Sequence, residues 1–499
     1  MRLSSFLLKW LAKKEYKKYS SDKQDAIKNQ ASIFNKIILR GGQSAFWKEN
    51  KIPKIINYDQ YRSLVPVSDY ESIRPFISKI SNGEKNILTK GKPLYFAITS
   101  GTTSGTKYIP LTREMLNFQT QAIKELLLLY SYQTNNYNIS PNVGMMFIQG
   151  SPNLQYLNKV PFAKLSGITA RHIPFFLKKN RYPSMKTNCI KNWGEKIDAI
   201  VQETHDKDMQ IIGGIPPWVM TYFEALLSFK NKKNLKDVFP NLMLYIHGGS
   251  GFEPYKKAFL NICGEIDTLE VYPASEGFFG YQDDLDDPSM LLLTKHGVFY
   301  EFVELADFQA KTMRRIPLEE VKLNTDYVMI VSTIAGLWAY NTGDTIRFTS
   351  KSPYKILFSG RAAQYCSAFG EHVIEKEVQE ALAGAVKKHG GVVSEFTVAP
   401  KIMTESHLSH HQWFIEFKSM PDNLSLFERT LNSIMEDQNL YYCDLVKSKV
   451  ILPLKLFVVK IGGFNAYMKS IGKFGGQNKC PHLSNERKIA NFLLKNYVK

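Results

Sequence analysis

Between residues 143 and 272, four short apolar runs alternate with two stretches of helical periodicity, and this alternation restricts the fold more than any other feature. The runs 143–150, 209–214, 242–248 and 268–272 predict strands, and the stretches 218–229 and 254–262 predict helices. Strands that alternate with helices form an α/β sheet, in which ligands bind beyond the carboxyl ends of the strands. We therefore expect an α/β fold with a site at that edge.

Other regions of the chain have a different pattern. Residues up to about 75 have the pattern of helices, and from 298 to 358 strand follows strand (299–305, 327–333 and 354–358), which predicts an antiparallel or barrel-like subdomain. After residue 360, two predicted helices (372–388 and 424–437) and three predicted strands (395–398, 413–417 and 456–461) indicate a small α+β domain. Because 499 residues exceed the size of one core, we predict a large domain over 1–360 and a small one over 361–499.

Charge, cysteines and hydropathy restrict the class of protein. The net charge of +18 is dispersed without a nucleic-acid motif, so we interpret it as a solvated surface that favours anionic small molecules. Five widely spaced cysteines without a Cys-x-x-Cys pair indicate reduced thiols and a cytoplasmic protein. The sequence contains no uninterrupted run of ~18 or more apolar residues, so stable membrane insertion is not predicted. The apolar stretch 4–12 comes before most of its lysines, whereas a secretory signal has its positive charges first. We therefore expect a helix packed on the first domain, or else a basic helix that touches a membrane.

Residues 95–107 read Tyr-Phe-Ala-Ile-Thr-Ser-Gly-Thr-Thr-Ser-Gly-Thr-Lys, a short apolar run that feeds a loop of hydroxyl residues and glycines. Gly101 and Gly105 allow a close backbone approach, hydroxyl and amide groups can face anionic oxygens, and Lys107 adds a positive charge. Only three residues separate the glycines, and Thr106 precedes the lysine, so a Walker A loop is disfavoured. The segment predicts a nucleotide phosphate loop, with a flexible surface turn as the alternative.

Three further motifs follow this loop. Val-Tyr-Pro-Ala-Ser-Glu-Gly at 271–277 offers an aromatic ring that can stack on a base, Tyr272, and a carboxylate that can hold Mg²⁺, Glu276. Tyr-Asn-Thr-Gly-Asp at 340–344 places Asp344 on a tight turn, where it can accept hydrogen bonds from both ribose hydroxyls. Gly-Arg at 360–361 can clasp the ribose or the α-phosphate. Each residue also has an ordinary structural interpretation when it is considered alone. Glu276 and Asp344 would then be turn carboxylates, Tyr272 and Tyr340 core aromatics, and Arg361 an ion-pair partner.

Together and in this order, the motifs resemble those of the firefly-luciferase-like adenylate-forming superfamily. More narrowly, the chain resembles the acyl-acid amido synthetases of the auxin-responsive Gretchen Hagen family, from about residue 66 to the tail Gly-Gly-Gln-Asn-Lys-Cys-Pro-His at 475–482. The resemblance implies an α/β N-terminal domain with a barrel-like subdomain and a smaller mobile α+β C-terminal domain. It implies that the β- and γ-phosphates of ATP are held by Ser100, Gly101, Thr102, Thr103, Gly105 and Lys107.

The remaining roles follow from the same resemblance. Tyr272 and Ser275 would flank the adenine and α-phosphate, Glu276 would bind Mg²⁺, and Asp344 and Arg361 would fix the ribose. Lys479, on the mobile domain, would bridge the acid and the α-phosphate during the first half-reaction. A substrate carboxylate would attack the α-phosphate, and the amine of an amino acid would then attack the acyl-AMP, with domain rotation around residue 360 between the steps.

The chain departs from the family pattern at three places. Pro273-Ala274 replaces Ala-Ser, Asn341 replaces an arginine, and His482 replaces the last arginine of the tail. The rival functions are an acyl-CoA or other thioester ligase, and a nucleotide-binding protein without turnover; a nucleic-acid-binding role ranks last.

Several other residues keep two interpretations. His247 and Trp218 either line an acyl pocket or pack in the core, and Lys479 is either catalytic or a solvated charge on a loop. Three histidines, His407, His410 and His411, fit no zinc pattern and are predicted to lie in an exposed loop. Neither the acid, the amine nor the oligomeric state is indicated by a motif.

Overall fold

The computed structural model describes most of the chain, namely residues 3–22, 24–54, 56–100, 106–137, 144–173, 180–190, 192–249, 252–362, 365–366, 373–401, 409–447, 451–473, 479–484 and 486–498. The helices in chain order are α1 (Leu3–Asp22), α2 (Ala26–Gly41), α3 (Ala45–Glu49), α4 (Tyr58–Leu64), α5 (Tyr70–Ser81), α6 (Arg113–Gln133), α7 (Leu165–Arg171), α8 (Met185–Asn188), α9 (Trp193–Thr204), α10 (Pro216–Lys230), α11 (Glu253–Cys263), α12 (Leu305–Gln309), α13 (Glu375–His389), α14 (Leu424–Gln438), α15 (Leu440–Lys447), α16 (Gly463–Ser470) and α17 (Lys488–Asn496). Two 3₁₀ helices span Leu235–Asp237 and Leu318–Glu320.

The strands in chain order are β1 (Tyr95–Ser100), β2 (Thr106–Leu111), β3 (Gly144–Ile148), β4 (Gln155–Leu157), β5 (Val160–Lys164), β6 (Arg181–Tyr182), β7 (Met209–Gly214), β8 (Leu244–Gly248), β9 (Asp267–Pro273), β10 (Phe278–Gln282), β11 (Met290–Leu292), β12 (Val298–Glu304), β13 (Ile316–Pro317), β14 (Asp326–Thr333), β15 (Tyr340–Lys351), β16 (Tyr354–Arg361), β17 (Tyr365–Cys366), β18 (Val373–Ile374), β19 (Val392–Lys401), β20 (His410–Ser419) and β21 (Lys455–Val459). Every strand and helix predicted from the apolar pattern between 209 and 272 is present.

One mixed sheet of twelve strands organises the larger part of the molecule, in the order β13-β12-β14-β15-β16-β11-β10-β9-β8-β7-β3-β6. From β9 to β6 all pairs are parallel, and from β9 to β13 all pairs are antiparallel. The predicted antiparallel strands after residue 298 are therefore continuous with the predicted α/β sheet. A smaller sheet, β2-β1-β5-β4, lies beside it.

Apolar cores lie on both faces of the parallel strands. The side chains of each strand alternate between the two faces of the sheet, so both faces carry apolar residues. Helices α9, α10 and α11 cover one face, where Phe223 and Phe259 are fully buried. The other face packs against α6 through Leu126 and Leu129. The two layers leave the carboxyl ends of β8 and β9 at the edge of the sheet, where ligands bind in this type of fold.

After residue 372 the chain builds a smaller layer of helices on a three-stranded sheet, β19-β20-β21. Helices α13 and α14 pack on this sheet over buried Trp413. Helix α11 contacts α13 and β19, and Lys418 pairs with Glu224 across the same boundary. The C-terminal part therefore packs against α11, the helix that precedes β9.

The N-terminal helix packs on α6, as predicted. The ring of Tyr16 stacks on Tyr132 with centroids 4.1 Å apart, and the Lys18 ammonium lies 2.6 Å from the Glu125 carboxylate. Among the residues that the structure describes, no helix is long and apolar enough to cross a membrane.

The prediction for the histidines is wrong at two positions. His410 and His411 begin β20 and are 6% and 1% exposed, because an aromatic-rich strand carries them into the core, where the His411 ring faces Tyr442. His407 lies outside the described residues.

Candidate active site

The predicted phosphate loop connects two antiparallel strands. In the ladder between β1 and β2, Ser100 opposes Thr106 and Thr99 opposes Lys107, so these two strands form an antiparallel hairpin. A Walker A loop joins a strand to a helix, so the hairpin agrees with the spacing argument against that motif. Gly101, Thr102, Thr103 and Gly105, and the side chain of Ser100, lie outside the described part, whereas Lys107 is described at the root of the hairpin.

The predicted adenine and metal residues occupy a tight turn between β9 and β10. Ala274 and Gly277 exchange backbone hydrogen bonds of 2.8 and 3.3 Å, which leaves Ser275 and Glu276 at the tip of the turn. The side-chain amide of Gln119, from α6, donates to the Ala274 carbonyl at 3.0 Å and fixes the turn. Ser275 is buried and Glu276 is half-buried.

The prediction of a tight turn at Asp344 is wrong, because this residue lies within β15, at a bulge where the register against β14 shifts. Side chains of the same segment stabilise the bulge. The amide of Gly343, with a φ of +77°, donates to Asn341 Oδ1 at 2.8 Å, and the amide of Asp344 donates to Thr342 Oγ1 at 3.1 Å. Asp344 is directly opposite Arg361 in the β15–β16 ladder. The two residues assigned to the ribose are therefore neighbours in the backbone, although the Arg361 side chain lies outside the described part.

Tyr272 connects the β9–β10 turn with the bulge in β15 that carries Asp344. Its hydroxyl donates to Asp344 Oδ2 at 2.7 Å, and its ring lies edge-on between Phe279 and Phe358, with centroids 5.1 and 5.5 Å away. Only 9% of Tyr272 is exposed. The side chain therefore orients the carboxylate of Asp344 and packs in the core, as one of the two sequence interpretations predicts, and its role towards the adenine stays a prediction.

Ser68 and Asp69, which had no predicted role, precede α5, and Ser68 contacts the segment that carries Asp344. Ser68 accepts a hydrogen bond from the Asn341 amide at 2.8 Å, and its own amide donates to the Ala339 carbonyl at 2.9 Å. The next residue, Asp69, caps α5, and its pKa is lowered by hydrogen bonds from Ser72 and, to a smaller extent, by the charge of Lys107. The capping pattern Asp-x-x-Ser at 69–72 was the available sequence signal.

Lys479 reaches the same edge of the sheet from the C-terminal tail. Its Nζ lies so close to Gly249 that a Cβ built on this glycine would be 3.3 Å from it. Gly248 pairs with Val271 in the β8–β9 ladder, so Gly249 is level with Tyr272 on the next strand, about 5 Å away. The side chain predicted from the tail motif thus points to the end of the strand that carries Tyr272.

His247 and Trp218 lie in the apolar layer beside this edge. Burial, and to a smaller extent the charge of Lys256, lowers the pKa of His247 to about 3, so the imidazole is neutral. Its ring packs 4.5 Å from that of Phe252, and Nδ1 has no hydrogen-bond partner among the residues described here. Trp218 belongs to the core cluster, and His247 is buried beside Phe252 of that cluster, as one of the two interpretations predicts.

The structure thus brings five predicted residues to one crevice: Tyr272, Ser275, Glu276, Asp344 and Lys479. Segments separated by more than 200 residues meet around the carboxyl ends of β8 and β9, between the large sheet and the C-terminal tail.

Comparison with solved structures gives the class of fold. A structure of AtGH3.15 acyl acid amido synthetase in complex with 2,4-DB superposes with a TM-score of 0.80 at 18% identity, covering 98% of this chain and 96% of that one. A 2-hydroxyisobutyryl-CoA ligase in the postadenylation state gives a TM-score of 0.62 at 13% identity, covering 95% and 92%. The chain therefore has the adenylate-forming fold, with a large N-terminal and a small C-terminal part.

Sequence comparison gives the family. The jasmonoyl–L-amino acid synthetase JAR4 of Nicotiana attenuata is 21% identical over 436 residues, covering 73% of this chain and 74% of that protein. The indole-3-acetic acid-amido synthetase GH3.5 of Arabidopsis thaliana is 22% identical over 550 residues, covering 91% and 88%. The chain belongs to the GH3 family, whose N-terminal, central and C-terminal domain models match residues 15–190, 291–361 and 376–488. The family indicated by the motifs is therefore confirmed.

Proposed function

We propose that this protein adenylates a carboxylic acid with ATP and transfers the acyl group to the amine of an amino acid, forming an amide. The observation that carries the proposal is the convergence of Tyr272, Asp344 and Lys479 at one strand edge, where the family motifs predict the nucleotide. The relatives named for amido synthetase activity act on jasmonate and indole-3-acetate, and amide formation is the reaction they share with this proposal.

The proposed roles follow the family motifs, and the contacts of Tyr272 and Asp344 support them. Asp344, held by Tyr272, binds the ribose hydroxyls together with Arg361, and Ser275 lies beside the α-phosphate. The hairpin residues Ser100, Gly101, Thr102, Thr103 and Gly105 bind the β- and γ-phosphates with Lys107. Glu276 is a half-buried carboxylate at the end of a turn, a donor that suits Mg²⁺ when ATP oxygens complete the coordination. Bound there, Mg²⁺ would supply positive charge to the phosphates.

Two displacements make up the reaction. A carboxylate oxygen of the acid attacks the α-phosphorus while the bond to the bridging oxygen breaks, and Lys107 stabilises the charge on the departing pyrophosphate. Lys479, whose Nζ lies beside Gly249, contacts both the acid and the α-phosphate in this proposal. The amine nitrogen then attacks the acyl carbon, the bond to AMP breaks, and the amine releases its proton. Rotation of residues 361–499 about a boundary near 360 separates the two steps.

The test is acid-dependent pyrophosphate exchange. The purified chain is incubated with ATP, Mg²⁺, labelled pyrophosphate and a panel of aryl, indolyl and aliphatic acids, and folding is checked by circular dichroism. We expect exchange with at least one acid, and loss of exchange in Lys107→Ala and Glu276→Ala. A folded protein that binds ATP but exchanges pyrophosphate with no acid would instead be a nucleotide-binding protein without turnover.

The fold likeness to a CoA ligase makes thioester formation the second candidate. Both reactions share the adenylate, so the acceptor distinguishes them. The enzyme is loaded with an acid that supports exchange, then divided between a mixture of amino acids and CoA. Mass spectrometry of the products should show amides; a product formed with CoA alone would favour the thioester ligase.

A further inference from the structure

His482 lies between two carboxylates in the tail that carries Lys479. Its Nδ1 is 2.9 Å from Glu375 Oε1 and its Nε2 is 3.1 Å from Glu395 Oε1. The ring stacks on Phe396 with centroids 4.2 Å apart, and 8% of the side chain is exposed. A neutral imidazole has a single N–H, whereas here each ring nitrogen faces an acceptor, so both hydrogen bonds form only with the imidazolium.

Electrostatics agree with this geometry. Burial by itself would lower the pKa of His482, but the hydrogen bonds and charges of Glu375 and Glu395 raise it to about 10. The other titratable groups that face the three residues are Tyr255 from α11, Cys480 from the tail and Glu416 from β20. Burial raises the pKa of all three, so the tyrosine and the thiol are neutral at pH 7.

The bonded carboxylates belong to elements at the proposed boundary. Glu375 begins α13, and its Cβ would be 3.3 Å from a Cβ built on Gly360. Glu395 lies in β19, and the same strand binds the tail: the Val398 amide donates to the His482 carbonyl at 2.8 Å. His482 thus ties the tail to the helix beside residue 360 as well as to its own sheet.

We propose that His482 is a positioning residue whose imidazolium holds the tail against Glu375 and Glu395, so that removal of its charge displaces Lys479 and slows acyl-adenylate formation. The inference rests on the proposed function, since it concerns the first half-reaction. It also accounts for the departure from the family tail, because histidine bonded on both sides supplies the positive charge that an arginine would.

The test compares the full chain with His482→Gln, His482→Arg and a matched control, His389→Gln. His389 is at the far end of α13, where Nε2 contacts Thr430 Oγ1 at 2.7 Å. Pyrophosphate exchange is measured from pH 6 to pH 10.5 at saturating ATP. We expect His482→Gln to lower kcat about 100-fold, since a catalytic group displaced by ~1 Å loses activity on that scale. The control should match the wild type.

The pH profile separates positioning from general stability. Exchange by the wild type should decline at alkaline pH as the imidazolium deprotonates, and His482→Arg should extend the active range because guanidinium stays charged. An identical alkaline decline in the wild type and His482→Arg, or an unchanged rate in His482→Gln, would overturn the inference.

A second measurement does not depend on turnover. Hydrogen exchange of peptides covering residues 479–484 is compared between variants at the same pH. We expect faster exchange in His482→Gln than in His482→Arg, and equal exchange in the two would again overturn the inference. If the wild type shows no acid-dependent pyrophosphate exchange at any pH, the proposed function fails, and hydrogen exchange still decides whether His482 holds the tail.

Discussion

Replacing Tyr272 by phenylalanine removes one hydroxyl from the centre of the crevice and leaves the ring in place. The lost hydrogen bond, 2.7 Å long and buried, goes to the carboxylate of Asp344. Bonds of this kind to a charged group contribute about 1.5–3 kcal/mol. If the bond orients Asp344 toward the ribose, ATP binding weakens by roughly 10- to 150-fold. Isothermal titration of ATP into each variant measures the change in Kd.

Tyr300→Phe is the matched control. Tyr300 is also fully buried, and its hydroxyl donates to the backbone carbonyl of Leu293 at 3.2 Å, away from the crevice. That variant should lose about 1 kcal/mol of the free energy of unfolding and keep the ATP Kd. Equal ATP Kd values for the wild type, Tyr272→Phe and Tyr300→Phe would refute the reasoning, because Tyr272 would then act only in the core.

Three further outcomes are expected. Gly249→Ala should slow pyrophosphate exchange more than Gly462→Ala: both glycines have positive φ, but only the first would crowd Lys479. Glu276→Gln should raise the Mg²⁺ concentration that gives half-maximal exchange. An unchanged half-maximal concentration would mean that Glu276 is not the Mg²⁺ ligand. Burial opposes the ionisation of Glu125, but basic partners lower its pKa to about 2, so its contribution to stability, roughly 3 kcal/mol, is present above pH 4.5 and lost towards pH 2. Urea unfolding of Glu125→Gln should lack that acid-dependent loss.

The apolar pattern predicted the parallel strands well because each run is short, buried and bounded by glycine or a turn. β7 has the predicted bounds, and β8 differs from them by two residues at one end. β2 was not predicted, since Pro110 interrupts its apolar pattern; it is an edge strand, where proline is tolerated. The run predicted over 299–305 ends one residue earlier, where α12 begins at Leu305.

The site was predicted as a set of residue types, and its internal contacts were not. Motif order indicated Tyr272 and Asp344, but their mutual hydrogen bond depends on β9 and β15 approaching through β10, β11 and β16. The contact of Lys479 with Gly249 and the role of Ser68 likewise join segments far apart in sequence. Such pairs follow from tertiary packing, which neither periodicity nor spacing encodes. The domain boundary near 360 and the individual ligand roles stay predictions.

The continuous twelve-stranded sheet has a consequence for how this enzyme changes from one half-reaction to the next. Tyr272 and Asp344 are anchored in the same hydrogen-bonded sheet through β9 and β15, whereas β19, β20 and β21 form a separate sheet. The rotation that we propose for residues 361–499 would therefore leave these two side chains in place relative to each other. Under the proposed roles, adenosine would stay bound between the half-reactions while the surroundings of the acyl carbon change.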